Sequence, residues 1–176
     1  MMDMIELLRA RRSIRKYTDQ PIEPAKLDLL KEAALRSPSS RNIDPWEFVF
    51  VEDRALLKKL ALCKPHGASF LEHAALGIVV CGDSAESDTW IEDCSIASIL
   101  LQMVAQSLGL GSCWIQVRNR RFNDAMTSVQ CIQELLALRA HVQVLSIVAV
   151  GYPAEQREPL SQEDLKYGKL HANRYG

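Results

Sequence analysis

The sequence lacks the features that mark membrane-spanning, secreted and general nucleic-acid-binding proteins. No apolar run approaches the roughly 18 residues that a membrane-spanning helix requires. The first residues place acids before apolar side chains and offer no small-residue cleavage site, unlike a secretory signal. The formal net charge is only -1, whereas nucleic-acid binders are usually basic over a whole face. We therefore expect no membrane and no nucleic-acid partner.

The motifs of nucleophilic and metal-dependent enzymes are also missing. There is no GxSxG, no HExxH and no P-loop, and His66 and His73 have no third ligand nearby. We accordingly predict no metal site and no catalytic nucleophile. The cysteines form no CxxC motif, which favours reduced thiols in the cytoplasm, most of them small core residues. They are Cys63, Cys81, Cys94, Cys113 and Cys131.

Apolar periodicity predicts the order of the helices and strands. Helical spacing is found in residues 3–12, 25–35, 54–64, 89–111 and 128–138. Strand patterns occupy residues 46–52, 75–83, 112–117 and 142–153. Helices are concentrated early in the chain, and the strands have neighbours of both kinds. This order favours an α+β fold over a strictly alternating parallel fold. With 176 residues and no repeat or long linker, we predict a single domain over residues 1–176.

The C-terminal residues 154–176 form a polar extension rich in turn-forming residues. Such an extension on a small domain would fray unless something held it in place. Docking onto a second copy of the chain is one solution, and it would bury additional surface.

Basic residues are concentrated in "RARRSIRK", residues 9–16, around Ser13. One interpretation is structural, because cations at the C-terminal end of a helix interact favourably with its dipole. The other is a phosphate site, since arginines offer planar bidentate donors and Ser13 adds a hydroxyl and a backbone N–H. The near-neutral chain makes a third interpretation, an anion- or nucleic-acid-binding module, the least favoured.

Two further segments have both structural and functional interpretations. The turn-rich "SPSSRNIDPWEF", residues 37–48, is either a plain loop or a means of presenting Ser39, Ser40 and Asn42 to a ligand. The segment "GLGSCWIQV", residues 109–117, follows a helix and precedes a strand, which is the wrong order for a dinucleotide-binding motif. Its glycines are explained by a helix C-terminus, with Gly109 and Gly111 at the end.

Five segments in order resemble the nitroreductase family of flavoproteins over nearly the whole chain. They are "RRSIRKYTDQPI", "SPSSRNIDPWEFVFVED", "DCSIASILLQMVAQSLGLGSCWI", "VLSIVAVGYPAE" and "LHANRYG". The resemblance implies an α+β fold with a mostly antiparallel sheet flanked by helices. It also implies an intertwined homodimer that binds FMN at its interface, with residues 154–176 extended over the partner subunit.

The same resemblance implies roles for particular residues. Arg11, Arg12 and Ser13 would hold the FMN phosphate, and Arg15 would reach the pyrimidine edge of the ring. The other subunit would contribute Pro38, Ser39, Ser40 and Asn42 to the ring and ribityl chain. The strand residues Trp114, Ile115 and Gln116 would pass the flavin, with the backbone near Gln116 facing N5. Lys169 or Arg174 would complete the phosphate site, and His171 lies between them as another candidate.

The implied activity is hydride transfer from NADH or NADPH, through FMN, to a small-molecule oxidant such as a nitroaromatic or quinone, in a ping-pong cycle. The alternative is an FMN-binding redox sensor or flavin carrier without turnover. The chain departs from the family pattern at Asp44, where many relatives have Gln, and at Tyr175, where family tails often end in Trp.

Overall fold

The computed structural model describes residues 3–175 and contains a four-stranded antiparallel sheet. The strands are β1 (Trp46–Val51), β2 (Leu76–Asp83), β3 (Gly111–Gln116) and β4 (Val142–Gly151). They lie in the order β1-β2-β4-β3, and every neighbouring pair is antiparallel. The α+β class and the predominantly antiparallel sheet expected from the sequence are confirmed. The predicted domain also includes residues 1, 2 and 176, which lie outside the described residues.

Five α-helices accompany the sheet among residues 3–175. They are α1 (Met4–Ala10), α2 (Pro24–Leu35), α3 (Arg54–Leu62), α4 (Trp90–Ser107) and α5 (Ser128–Leu136). Helix α1 begins with a capping box between Asp3 and Glu6, as its predicted N-cap required. Helix α4 ends before Gly109, whose φ of +74° suits a glycine after a helix. None of these helices has the length and apolar character needed to cross a bilayer.

The sheet is covered on both faces, which explains why its central strands have little polar alternation. On one face, Leu30 of α2 and Leu101 of α4 share an apolar cluster with Val148 of β4. On the other face, Leu57 of α3 and Ile132 of α5 pack with neighbouring β4 residues. Strand β2 is buried along its whole length, as expected for a strand with helices on both sides.

The segment that follows α1 runs along the edge of the sheet and brings the basic cluster to β3. Ser13 forms a parallel bridge with Ser112, and the Ile14 N–H donates to the Ser112 carbonyl at 3.0 Å. This approach requires a glycine opposite: a Cβ added at Gly111 would lie 2.8 Å from the Cβ of Ile14. The absence of a side chain there lets two backbones approach closely.

The C-terminal extension lies on the surface of its own chain. Residues 156–175 are all exposed, and their only regular structure is two short 3-10 turns, Gln162–Asp164 and Tyr167–Lys169. Leu165 and Leu170 are among the exposed apolar side chains. Exchange of this extension between subunits remains a prediction.

Candidate functional site

A cavity of about 890 Å³ lies beside Ser13, between the end of α1 and the C-terminal extension. Its volume falls within the roughly 300–1,000 Å³ that is common for small-molecule sites. Five arginines and no carboxylate line it, so the cavity is strongly cationic. The lining residues are Ile5, Leu8, Arg9, Arg11, Arg12, Ser13, Arg15, Arg157, Pro159, Leu160, Gln162, Leu165 and Tyr167.

The arginine side chains reach this cavity because α1 ends at Ala10, before the predicted residue 12. Arg11 caps the helix in an extended conformation, with φ -63° and ψ 127°, while its N–H still donates to the Leu7 carbonyl. The predicted helix over residues 3–12 is therefore shorter than expected, and Arg12 and Ser13 already belong to the edge segment. Arg9 remains in the last turn, where the helix dipole favours a cation. Arg9 therefore fits the structural interpretation of the cluster and also lines the cavity, whereas Arg12 lies outside the helix.

Two buried or half-buried groups fix the backbone that carries these side chains. The Tyr17 hydroxyl donates to the Ile14 carbonyl at 2.6 Å, and burial raises the pKa of Tyr17, so it stays a neutral donor. The Glu155 carboxylate accepts the backbone N–H groups of Arg15 at 2.6 Å and Lys16 at 3.1 Å. The first of these bonds is the main cause of the lowered pKa of Glu155. The segment is held at its backbone, leaving the side chains free for a ligand.

The guanidinium groups of this segment have no carboxylate partner among the residues that the structure describes. Within residues 3–175, no side-chain hydrogen bond or ion pair engages the guanidinium of Arg11, Arg12 or Arg15. Arg15 instead stands 5.9 Å from the centroid of the Phe70 ring, within the range of a cation–π contact. A cluster of like charges without carboxylates favours an anionic ligand.

The loop of residues 38–44 does not line this cavity. Arg41, Asn42 and Asp44 all have positive φ, at 55°, 54° and 55°, a conformation that costs free energy for residues other than glycine. The Ser39 hydroxyl donates to Asp44 at 2.6 Å and accepts the Asp44 N–H at 2.9 Å. Asp44, which stands where many relatives have Gln, therefore bonds to Ser39 within its own loop through both its side chain and its backbone.

A buried carboxylate on α4 also holds this loop. The Ser40 N–H donates to Oδ1 of Asp93 at 2.9 Å, and Oδ2 of Asp93 accepts from the Thr89 hydroxyl at 3.3 Å. Asp93 is only 3% exposed. Ser39 and Ser40 are half-buried, while Pro38 and Asn42 are exposed. Asp93 was not predicted as part of a site, because its partner lies far along the chain.

The predicted flavin-facing strand β3 is at the edge of the sheet, so one side of its backbone is outside the sheet ladder. Ile115 is buried and belongs to the core. The Trp114 indole donates to Oε1 of Gln116 at 3.0 Å, and Nε2 of Gln116 donates to the Arg118 carbonyl at 2.8 Å. These contacts order the side chains along the strand.

Two cations were missed by the sequence reasoning, one in the arginine cavity and one in a separate groove beside His66. Arg157 lines the arginine cavity, 3.9 Å from Glu155. Lys64 is half-buried, and its pKa is lowered by burial first and then by repulsion from Arg120. The only sequence clue to Arg157 was its position just after the "GYP" motif, and Lys64 had none.

The remaining predicted residues lie outside the cavity in a single chain. Lys169 and Arg174 are exposed, and neither lines it. The His171 ring stacks near Tyr175, with 4.3 Å between centroids. The structure thus brings together the residues at 11–15 but leaves the 38–44 loop and residues 169–174 separate from them.

Comparison with known proteins agrees with this architecture. An FMN-dependent nitroreductase from Clostridium difficile R20291 has a solved structure with a TM-score of 0.96 and 43% identity, covering 98% of this chain and 100% of that one. A Methanothermobacter thermautotrophicus protein, provisionally named NADH dehydrogenase/NAD(P)H nitroreductase, is 37% identical over 88% of this chain and 79% of its own. An FMN reductase (NAD(P)H) from Bacillus subtilis is 28% identical over 98% of this chain and 76% of its own.

The match to the family description covers most of the chain. The model of the nitroreductase family matches residues 8–65 and 63–152, which include the arginine segment, the 38–44 loop and the whole sheet. The chain belongs to the nitroreductase family.

Proposed function

We propose that the protein is an FMN-dependent oxidoreductase that takes hydride from NAD(P)H and passes it to a small-molecule oxidant. The observation that supports this most directly is the cavity with five arginines and no carboxylate at the end of α1. Its relatives include proteins named for FMN and NAD(P)H.

The donor set of the cavity suits the FMN phosphate. Arg11 and Arg12 supply guanidinium donors, Ser13 supplies a hydroxyl, and Arg157 adds charge from the opposite wall. Each charge-assisted hydrogen bond to a phosphate is worth about 1.5–3 kcal/mol. Apolar side chains of the extension, including Leu160 and Leu165, line the same cavity.

Bound FMN supplies the hydride chemistry, which none of the chain's own side chains offers. The protein's part is binding, orientation and electrostatics. Arg15, held through its backbone by Glu155, would place a fixed positive charge at the pyrimidine edge of the bound ring. The backbone of β3 at Gln116 would help to hold the ring. No side chain is required as a nucleophile.

The second half of the site comes from a partner subunit in an intertwined homodimer. Pro38, Ser39, Ser40 and Asn42 of the partner contact the ring and ribityl chain, and Lys169 or Arg174 reaches the phosphate. Two features support this arrangement. The described chain leaves apolar side chains exposed on α4 and on the extension, with Ile96 and Ile99 at 40% and Leu170 at 74%. The extension itself is exposed throughout residues 156–175.

NAD(P)H and an oxidant such as a nitroaromatic or quinone occupy one pocket in turn, which is a ping-pong order. A separate nucleotide-binding domain is not needed for this scheme. The five free thiols accord with a reducing compartment, so we place the protein in the cytoplasm.

Anaerobic mixing with each nicotinamide tests turnover against the alternative of a flavin sensor or carrier. The purified protein should be yellow, and NADH or NADPH should bleach the flavin rapidly, with colour returning on addition of a quinone. A yellow protein that neither nicotinamide bleaches would support the sensor or carrier. A protein that stays colourless after incubation with FMN would contradict both.

A further inference from the structure

Cys63 and Cys131 form a thiol pair on the side of the sheet that carries α3 and α5. Cys63 caps the C-terminal end of α3, and Cys131 lies within α5. Their sulfurs are 2.6 Å apart. We propose that this thiol pair is a reversible disulfide site, closed by peroxide and opened by thiol reductants.

The two sulfurs of the pair are already in contact. The Cys131 thiol donates to the Cys63 sulfur, and the Cys63 thiol donates to the Lys59 carbonyl at 3.5 Å. A lone pair of the Cys63 sulfur therefore faces Cys131. A formed disulfide has an S–S length of about 2.05 Å, so closing it requires movement of roughly half an ångström.

Access distinguishes this pair from the other cysteines. Cys131 is half-buried and, with Cys63, lines a surface groove of about 380 Å³ beside Phe122. Cys81 and Cys94 are both 0% exposed, and Cys94 donates to the Cys81 carbonyl rather than to its sulfur. Among the described residues, only the Cys63–Cys131 pair therefore combines contact between sulfurs with a route for an oxidant.

The chemistry proceeds in two balanced steps. The Cys131 thiolate attacks one oxygen of hydrogen peroxide, the O–O bond breaks, and a sulfenic acid and hydroxide form. The Cys63 sulfur then attacks the sulfenic sulfur, so that the S–S bond forms and water leaves. The thiols lose two electrons and the peroxide gains them, giving one disulfide and two waters. Burial raises the pKa of Cys63, which makes the more accessible Cys131 the first to react.

Peptide mapping of the whole protein after brief peroxide treatment tests the site. Combined digestion with trypsin and Glu-C leaves Cys63 in residues 60–72 and Cys131 in residues 122–134, each without another cysteine. We expect these two peptides to be cross-linked. Thiol titration in denaturant should fall from the five of the sequence to about three, and dithiothreitol should restore all of them.

Matched variants show which two cysteines become linked, and this readout does not depend on bound flavin. Cys94→Ser keeps both members and should cross-link like the wild type, whereas Cys131→Ser should not. Oxidised wild-type protein should melt roughly 5–10 °C higher than reduced protein, because the bond closes a long loop of the unfolded chain. Five thiols after treatment, over-oxidation of Cys131 without a link to Cys63, or an unchanged or lower Tm would each overturn the proposal.

Discussion

We propose that the arginine segment at residues 11–15 and the loop at residues 38–44 both bind the flavin, yet they are built in opposite ways. The arginine segment has an ordinary extended backbone and side chains without counter-ions. The loop has three residues with positive φ and is held by hydrogen bonds to itself and to the buried Asp93.

We infer from this difference that the two regions have separate roles in binding the flavin. The arginine segment contributes charge and needs only its backbone fixed, which Tyr17 and Glu155 do. The 38–44 loop contributes shape, and its strained conformation persists because the contacts around it hold it. Changes in the first region should alter recognition of the phosphate, whereas changes in the second should alter recognition of the ring and ribityl chain.

Truncation after Gln162 should have the largest effect, because it prevents the two regions from meeting. Without residues 163–176 we expect monomers or aggregates by size-exclusion chromatography with light scattering, and no retained FMN. Deleting only residue 176 is the matched control and should leave a flavin-loaded dimer. A stable, flavin-loaded dimer of the long truncation would refute exchange of the extension.

Arg11→Ala should lower FMN affinity by about 10- to 100-fold, the equivalent of one charge-assisted bond. Riboflavin, which lacks the phosphate, should bind the variant as it binds the wild type. Arg36→Ala removes the arginine that caps the C-terminal end of α2 and pairs with Glu32 outside the cavity, and it should change neither affinity. Fluorescence titration measures each of these affinities. An equal loss of affinity for riboflavin and for FMN in Arg11→Ala would contradict separate roles for the two regions.

Asp93→Asn should weaken FMN and riboflavin alike, by on the order of tenfold, since it loosens the hydrogen bond that places Ser40. The Tm should fall by a few degrees, because Asp93 is buried. Glu92→Gln, on the exposed side of the same helix turn, serves as the control. Loss of FMN affinity alone, with riboflavin unchanged, would place Asp93 with the phosphate instead.

Arg15→Ala should have the smallest effect on binding and a larger one on rate. We expect FMN affinity to change by about threefold or less, while NAD(P)H-driven bleaching slows by on the order of tenfold or more. Stopped-flow absorbance on flavin-loaded protein measures the rate separately from affinity. A normal rate of bleaching would contradict the proposed role of Arg15 at the pyrimidine edge of the flavin.

Local pattern predicted much of this architecture. Among residues 3–175, the period of apolar residues placed every α-helix and strand, and the glycine after α4 marked its end, because these features depend on neighbours in sequence. The strand order could not be predicted, since it depends on pairing between segments far apart in the chain. The early end of α1 could not be predicted either, since the segment that follows it packs against Gly111. Asp93 looked like an ordinary residue of a core helix, and only its distant hydrogen bond to the 38–44 loop identifies its role. Arg157 was overlooked because the fold of the extension brings it to the arginines.

The ratio of FMN to riboflavin affinity in the wild-type protein tests the central claim most directly. Two or three guanidinium contacts to the phosphate predict that FMN binds at least about 100-fold more tightly at low salt. They also predict that this preference shrinks as salt screens the charges. Equal affinities for the two flavins, unaffected by salt, would contradict phosphate binding in the arginine cavity.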